Sequence, residues 1–116
     1  MDPHEVALPE EPAAPAAAVL EDPVDLVARA VRSVPGVHDL HGGVLGEVAT
    51  YLPGRRVAGI RLREPGADVH VVLAWAAPLT ATTEAVRAAV RPLAGGPVDV
   101  TVEDVAPPGA PRPTDD

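Results

Sequence analysis

Residues 57–75, VAGIRLREPGADVHVVLAW, predict an antiparallel β-hairpin. Apolar side chains alternate with polar or small ones over residues 57–63 and again over residues 68–75, which is the two-residue period of a strand. The intervening residues 64–68, EPGAD, place Pro and Gly where a tight turn needs them. Two neighbouring strands of one sheet are therefore expected here.

The same alternation divides the side chains of this hairpin, and of a last strand at residues 98–102, between two faces. One face is expected to lie under the helices and to carry Ala58, Ile60, Leu62, Val69, Val71, Leu73, Trp75, Val98, Val100 and Val102. The open face is expected to carry Gly59, Arg61, Arg63, His70, Val72, Ala74, Asp99, Thr101 and Glu103. Trp75 is therefore predicted to be buried in the core.

Two helices are predicted, one before the hairpin in the sequence and one after it. Asp22 is a typical N-cap, Pro23 suits the first helical position, and Pro35 with the following glycine ends the first helix. The second helix is predicted to follow Thr80 as its N-cap and to end at Gly-Gly-Pro, residues 95–97. Its buried face is expected to carry Val86, Val90 and Leu93.

Residues 44–52 fit either a helix or a strand that leads into a turn at Pro53-Gly54, and we favour the strand. The predicted fold is then α/β of the α+β type, with the order α-β-β-β-α-β. It is a two-layer sandwich in which two helices cover one face of a small, mostly antiparallel sheet.

Charge and composition set the predicted domain boundaries. The chain has 116 residues and a formal charge of −8, but residues 23–105 hold nine acidic and eight basic side chains. The acidic, Pro/Ala-rich residues 1–21 and the Pro-rich residues 106–116 are expected to be disordered tails, and residues 22–105 a single domain. A nearly neutral domain lacks the basic face that phosphates require, so no nucleic-acid partner is expected.

Missing residue types exclude much chemistry. The chain has no Cys and no Lys, and Ser33 is its only serine. Thiolate catalysis, Cys-based zinc sites, Schiff-base formation and the lysine of a phosphate-binding P-loop are therefore excluded. Few enzyme classes are compatible with these absences, and no cofactor is expected.

The histidines and glycines give weak signals. His38 and His41 lie three residues apart in a Gly-rich stretch, and His70 lies on the outer face of a strand. Histidine ligands prefer convergent spacings, so solvated loop histidines are expected here and no metal site. Gly42-Gly43 lacks the spacing of a phosphate-binding loop and is expected to supply backbone freedom at a turn.

Four arginines stand within nine residues, at positions 55, 56, 61 and 63. They form either a patch for an anion or acidic partner, or a solvated hairpin edge whose charges prevent unwanted strand pairing. The open sheet face mixes small, apolar and oppositely charged residues, as protein–protein contacts do. The candidate interaction surface therefore comprises Arg55, Arg56, Arg61, Arg63, His70, Val72 and Thr101.

The order of motifs resembles a known family. VPGV at residues 34–37 followed by LHGG at 40–43 is similar to the VPGV…L.GG segment of the alkaline-shock, or glucose-starvation, family of bacterial envelope-stress proteins. PGRRVAGI at 53–60 resembles the start of a family strand that is rich in Gly and Arg. DVHVVLAW at 68–75 resembles the family's long Val-rich strand, and VDVTVEDV at 98–105 its closing strand.

This resemblance, over residues 24–105, implies a small non-enzymatic protein of the bacterial cytoplasm that is linked to envelope stress. Some members gather at the membrane through a partner protein, and the family offers no catalytic residues to carry over. Abundant Ala, Pro, Arg and Val suggest an actinobacterial host. The longest apolar runs, residues 13–20 and 71–79, are shorter than the roughly 20 residues that cross a bilayer, so no membrane insertion is expected.

Three functional hypotheses follow. The first is an interaction or scaffold protein of the envelope-stress type, with self-association or a membrane-anchored protein as its partner. The alternative is a regulatory module that binds a small anionic ligand through the arginine-rich hairpin. The third, an enzyme or metal protein that uses the histidines, has the weakest support.

Overall fold

Two helices and six strands follow one another in residues 21–113, the part of the chain that the structure, a computed structural model, describes. The α+β class, the two helices and the mostly antiparallel sheet are confirmed, and the predicted order of elements broadly matches. The elements are α1 (Pro23–Arg32), β1 (Val37–Leu40), β2 (Ala49–Leu52), β3 (Arg55–Ala58), β4 (Ile60–Leu62), β5 (Ala67–Leu73), α2 (Leu79–Ala94) and β6 (Val98–Val105).

Strand β5 is the centre of the main sheet. β6 runs parallel to it along its whole length, while β4 and β1 pair antiparallel with its first and second halves. Because β6 occupies one edge of β5, β4 and β1 share the other. His70 lies where they meet: its N–H donates to the Gly59 carbonyl at 2.8 Å, and its carbonyl accepts the His41 N–H at 2.9 Å.

The hairpin of β2 and β3 leaves the main sheet at Gly59. This residue has φ +86°, and a Cβ there would lie 2.8 Å from the Leu40 Cβ. The single strand predicted over residues 57–63 is therefore wrong: β3 and β4 belong to two different sheets. The break reverses the alternation, so that Val57 is buried and Ala58 is partly exposed. The predicted hairpin of β4 and β5 is confirmed.

Helix α1 begins as its sequence predicts, with Asp22 at the N-cap and Pro23 in the first turn. Helix α2 begins earlier than predicted, at Leu79 with Pro78 as N-cap, so Thr80 lies inside it. Leu93 is 44% exposed, and the buried face of α2 instead carries Thr82, Val86 and Val90.

The core lies between the two helices and one face of the main sheet. Valine dominates it, and burying each valine side chain contributes about 1.5–3 kcal/mol to folding. Its most deeply buried residues include Val24, Val27, Val31, Ile60, Val69, Val71, Leu73, Val86 and Val90.

Trp75 is not part of this core, contrary to the sequence prediction, because 60% of its surface is exposed. β5 ends at Leu73, and the following residues turn, with Ala76 at φ +68°. The alternation of a strand does not extend into a turn. Trp75 therefore does not share the buried face of β5. It lies beside the C-terminal segment, in a shallow groove that Ala106 and Pro107 also line.

The structure differs from the sequence prediction at two further places, both within residues 37–52. The Gly-rich stretch with His38 forms strand β1, which the sequence analysis missed. The strand favoured for residues 44–52 is present only as β2; Val44 and Leu45 lie in an exposed turn before it.

The predicted N-terminal tail lies outside the described residues apart from Glu21, and residues 114–116 also lie outside them. Ala106 is buried and its N–H donates to the Leu73 carbonyl at 2.8 Å. The domain boundaries at residues 22 and 105, and the disorder of both tails, stay predictions. Among the described residues, neither helix combines the length and apolar character needed to cross a membrane.

Candidate functional site

The seven residues that the sequence analysis selected do not form one surface. Arg55 and Arg56 lie on β3, which faces α1. Arg61 on β4, Arg63 just after it, and three residues of β5 and β6 lie on the main sheet instead; those three are His70, Val72 and Thr101.

The charges of the open sheet face are satisfied by neighbouring residues. Arg63 lies 3.1 Å from the carboxylate of Asp99 and 3.4 Å from that of Asp68. Arg61 donates to the backbone carbonyl of Glu47 at 2.5 Å. Hydrogen bonds from the backbone N–H groups of Glu47 and Leu45 lower the pKa of the Glu47 carboxyl.

His70 is also partnered on this face. Its Nδ1 lies 2.6 Å from Oε2 of Glu103, and both side chains are about four-fifths buried. Thr101, directly opposite His70 in the register of β5 and β6, is exposed, and Val72 is half-buried. This face therefore offers few unpaired charges to a partner.

A second surface, the arginine depression, lies between α1, the outer end of β3 and the C-terminal segment. Its volume is about 950 Å³. It is lined by Asp25, Ala28, Arg29, Arg32, Ser33, His38, Asp39, Arg55, Arg56, Val57, Ala58, Arg112 and Pro113. Five of the nine arginines of a chain with formal charge −8 thus converge on one place.

Arg55 joins the hairpin to α1 at the edge of this depression. Its two terminal nitrogens donate to the two carboxylate oxygens of Asp25, at 3.0 and 2.7 Å. The carboxylate of Asp22 lies 3.7 Å away. These hydrogen bonds and charges lower the pKa of Asp25 and raise that of Arg55. The paired geometry is the fork that guanidinium groups form with planar anions.

Two arginines on α1 also have carboxylate partners. Arg29 pairs with Glu21, and Arg32 lies 3.6 Å from Asp39. All four side chains are at least one-third exposed. Such exposed pairs are weak and readily screened, so their arginines can exchange one carboxylate for another.

The remaining two arginines of the depression bind backbone carbonyls. Arg56 donates to Gly46 at 3.2 Å, and Arg112 donates to Arg32 at 3.1 Å. No carboxylate of residues 21–113 lies within 4.0 Å of either guanidinium. Each guanidinium has five N–H donors, and one bond to a carbonyl leaves most of them available to an anion.

The depression suits carboxylate or phosphate groups better than nucleobases or metals. Among the described residues that line it, His38 has the only ring-bearing side chain apart from proline, so base stacking has little support there. Ser33 donates its hydroxyl to the Arg29 carbonyl at 2.9 Å. Within residues 21–113, His, Cys, Asp and Glu side chains form no group of three that could hold a metal ion.

Sequence reasoning found only Arg55 and Arg56 of this site. Arg29 and Arg32 lie in the predicted first helix, where they were given no binding role, and Arg112 lies in the predicted C-terminal tail. These residues come from segments up to 83 positions apart, as Arg29 and Arg112 show, so no local spacing indicates that they meet.

Comparisons with protein-family models, with curated proteins and with solved structures gave no match to this chain.

Proposed function

We propose that this protein is a non-enzymatic interaction module that binds an acidic segment of another protein in the arginine depression. The convergence of five arginines from three separate segments carries the proposal. Guanidinium groups recognise carboxylates through two parallel hydrogen bonds, and Arg55 already holds Asp25 in this way. An acidic segment presents several carboxylates, so it can contact more than one of these guanidinium groups at once.

The sequence resemblance to the alkaline-shock family supports the same class, an interaction or scaffold protein of the envelope-stress type. We place it in the cytoplasm, peripheral at the membrane through a membrane-anchored partner. Self-association is the other form that such contacts can take. The absence of Cys and Lys excludes several kinds of catalysis and cofactor attachment. This absence supports a role without catalysis or cofactor.

The test measures binding of a fluorescein-labelled decaglutamate peptide to the full chain by anisotropy. Arg56→Gln with Arg112→Gln removes the two guanidinium groups that have no carboxylate partner in residues 21–113. The expected loss of affinity is on the order of 10-fold, and added salt should weaken the wild-type complex. Arg61→Gln with Arg63→Gln is the matched control, because it removes two positive charges from the open sheet face.

The outcomes separate the possible surfaces. If the Arg61→Gln, Arg63→Gln variant loses binding and the Arg56→Gln, Arg112→Gln variant binds normally, the function lies on the open sheet face. No binding of the peptide by wild type at low salt would exclude an acidic partner.

A small anionic ligand is the second candidate, since a single carboxylate or phosphate group can use the same guanidinium groups. Thermal unfolding with inorganic phosphate and with citrate tests it, because a ligand that binds only the native state raises Tm. A rise in Tm at millimolar citrate, with no binding of the peptide, would favour this candidate.

A further inference from the structure

The turn between β1 and β2 presents two neighbouring aliphatic side chains to solvent. Val44 is 85% exposed and Leu45 is 88% exposed, more than any other large apolar residue of the described chain, residues 21–113. Residues 43–46 are called the apolar turn below. Single exposed apolar residues are common, but a cluster of them marks a surface that another body covers.

Hydrogen bonds hold the apolar turn in one conformation. The Gly46 N–H donates to the Gly43 carbonyl at 3.1 Å, and the Leu45 N–H donates to the Glu47 carboxylate at 3.0 Å. These bonds fix the backbone of the turn. The exposure of its two aliphatic side chains is therefore built into the fold.

Two arginines also bind the turn, and they make its surroundings basic. Arg56 donates to the Gly46 carbonyl at 3.2 Å, and Arg61 donates to the Glu47 carbonyl at 2.5 Å. No carboxylate of residues 21–113 lies within 4.0 Å of either guanidinium. Residues 43–61 hold three basic side chains and one acidic side chain, in a chain whose formal charge is −8.

Tyr51 lies on the same side of the molecule as the apolar turn. It is directly opposite Arg56 in the register of β2 and β3, so the two side chains share one face of the hairpin. Arg56 extends from this face to Gly46, and 70% of the tyrosine is exposed. Aliphatic residues at a tip, with tyrosine and arginine behind them, match the layers of a lipid–water interface: hydrocarbon, then polar and anionic headgroups.

We propose that the apolar turn docks on an anionic lipid surface, with Val44 and Leu45 among the acyl chains and Arg56 and Arg61 against the headgroups. Charge supports this occupant, because the basic surroundings of the turn attract an anionic surface that the rest of the acidic chain repels. The protein is therefore oriented with the turn toward the lipid. Only two side chains enter the membrane, and no segment crosses it.

This inference goes beyond the proposed function, because it gives the protein a membrane contact of its own. Val44 and Leu45 do not line the arginine depression. Binding of lipid and binding of an acidic segment can therefore be measured separately.

Co-sedimentation of the full chain with lipid vesicles is the first experiment. Wild type is expected to bind vesicles of equal parts phosphatidylglycerol and phosphatidylcholine, and to bind pure phosphatidylcholine on the order of 10-fold more weakly. Val44→Ser with Leu45→Ser should lower the affinity for the anionic vesicles by on the order of 10-fold or more, because the inserted apolar area is lost. Leu79→Ser with Leu93→Ser is the control, since it removes two exposed aliphatic side chains from α2, on the opposite face of the main sheet.

The second experiment shows which residue enters the lipid. Because the chain has no cysteine, Leu45→Cys carries the environment-sensitive fluorophore NBD at a single position, and Leu79→Cys is its control. Anionic vesicles are expected to shift the emission at position 45 to the blue and to raise its intensity. The emission at position 79 should not change.

Three results would overturn the proposal. The first is a wild type that binds neither kind of vesicle at low salt, which would leave a protein pocket as the partner of the turn. The second is wild-type affinity for anionic vesicles in the Val44→Ser, Leu45→Ser variant, and the third is an equal spectral change at both labelled positions. Loss of vesicle binding in the serine variant, with unchanged binding of the decaglutamate peptide, is the expected combination. If the wild type binds vesicles but not the peptide, the proposed function fails and the lipid contact stands.

Discussion

The carboxylate of Asp25 and the guanidinium of Arg55, thirty positions apart in the chain, share two hydrogen bonds of 3.0 and 2.7 Å. This pair joins the first turn of α1 to the first residue of β3. It thereby positions the hairpin that carries Arg56 against the helix that carries Arg29 and Arg32. Both residues of the pair line the depression.

Asp25 should make the stability of the domain depend on pH through this pair. Its pKa in the folded protein lies below the ordinary value of 3.8. A lowered pKa stabilises the fold above the unfolded value, and the contribution disappears as pH falls through the folded value. Wild type is therefore expected to be slightly more stable than Arg55→Gln at pH 6, and the difference should vanish at pH values well below 3.8.

Urea unfolding from pH 2.5 to 7 measures this difference. Arg91→Gln is the control, because no ion pair within residues 21–113 involves that exposed arginine. A difference between wild type and Arg55→Gln that is constant across the range would show that the pair contributes no pH-dependent stability.

Gly59 should tolerate no side chain. Gly59→Ala combines a positive φ with a Cβ 2.8 Å from that of Leu40, whereas Gly54→Ala has a similar φ and open space around it. Gly54→Ala is expected to cost about 1–2 kcal/mol of unfolding free energy, from the backbone alone. Gly59→Ala should cost roughly 1–3 kcal/mol more because its neighbours must move. If urea unfolding shows the same loss of unfolding free energy for both variants, the residues around Gly59 move aside at no cost.

Trp75 should contribute little to stability because it lies outside the core. Trp75→Ala is expected to change the unfolding free energy by less than about 1 kcal/mol. Val71→Ala, which deletes two methyl groups at a fully buried position, should cost about 2 kcal/mol. Wild-type fluorescence should show the red-shifted emission of a hydrated indole. A blue-shifted spectrum with a large loss in Trp75→Ala would return this residue to the core.

The sequence by itself determined the elements whose patterns are local. The period of two over residues 68–73 predicts β5, and Asp22-Pro23 predicts the start of α1, because strand alternation and helix capping depend on near neighbours. Charge counting likewise separated a nearly neutral domain from acidic ends. These features need no knowledge of where distant residues lie.

Only the tertiary structure decided where the chain passes from one sheet to the other and which arginines lie close together. Gly59 interrupts an alternation that continues smoothly in the sequence, because its φ of +86° and the proximity of Leu40 depend on how β1 and β4 share one edge of β5. Arg32 and Arg112 meet at the depression because α1, β3 and the C-terminal segment pack together. Contacts between segments so far apart follow from the fold as a whole, and no periodicity along the chain records them.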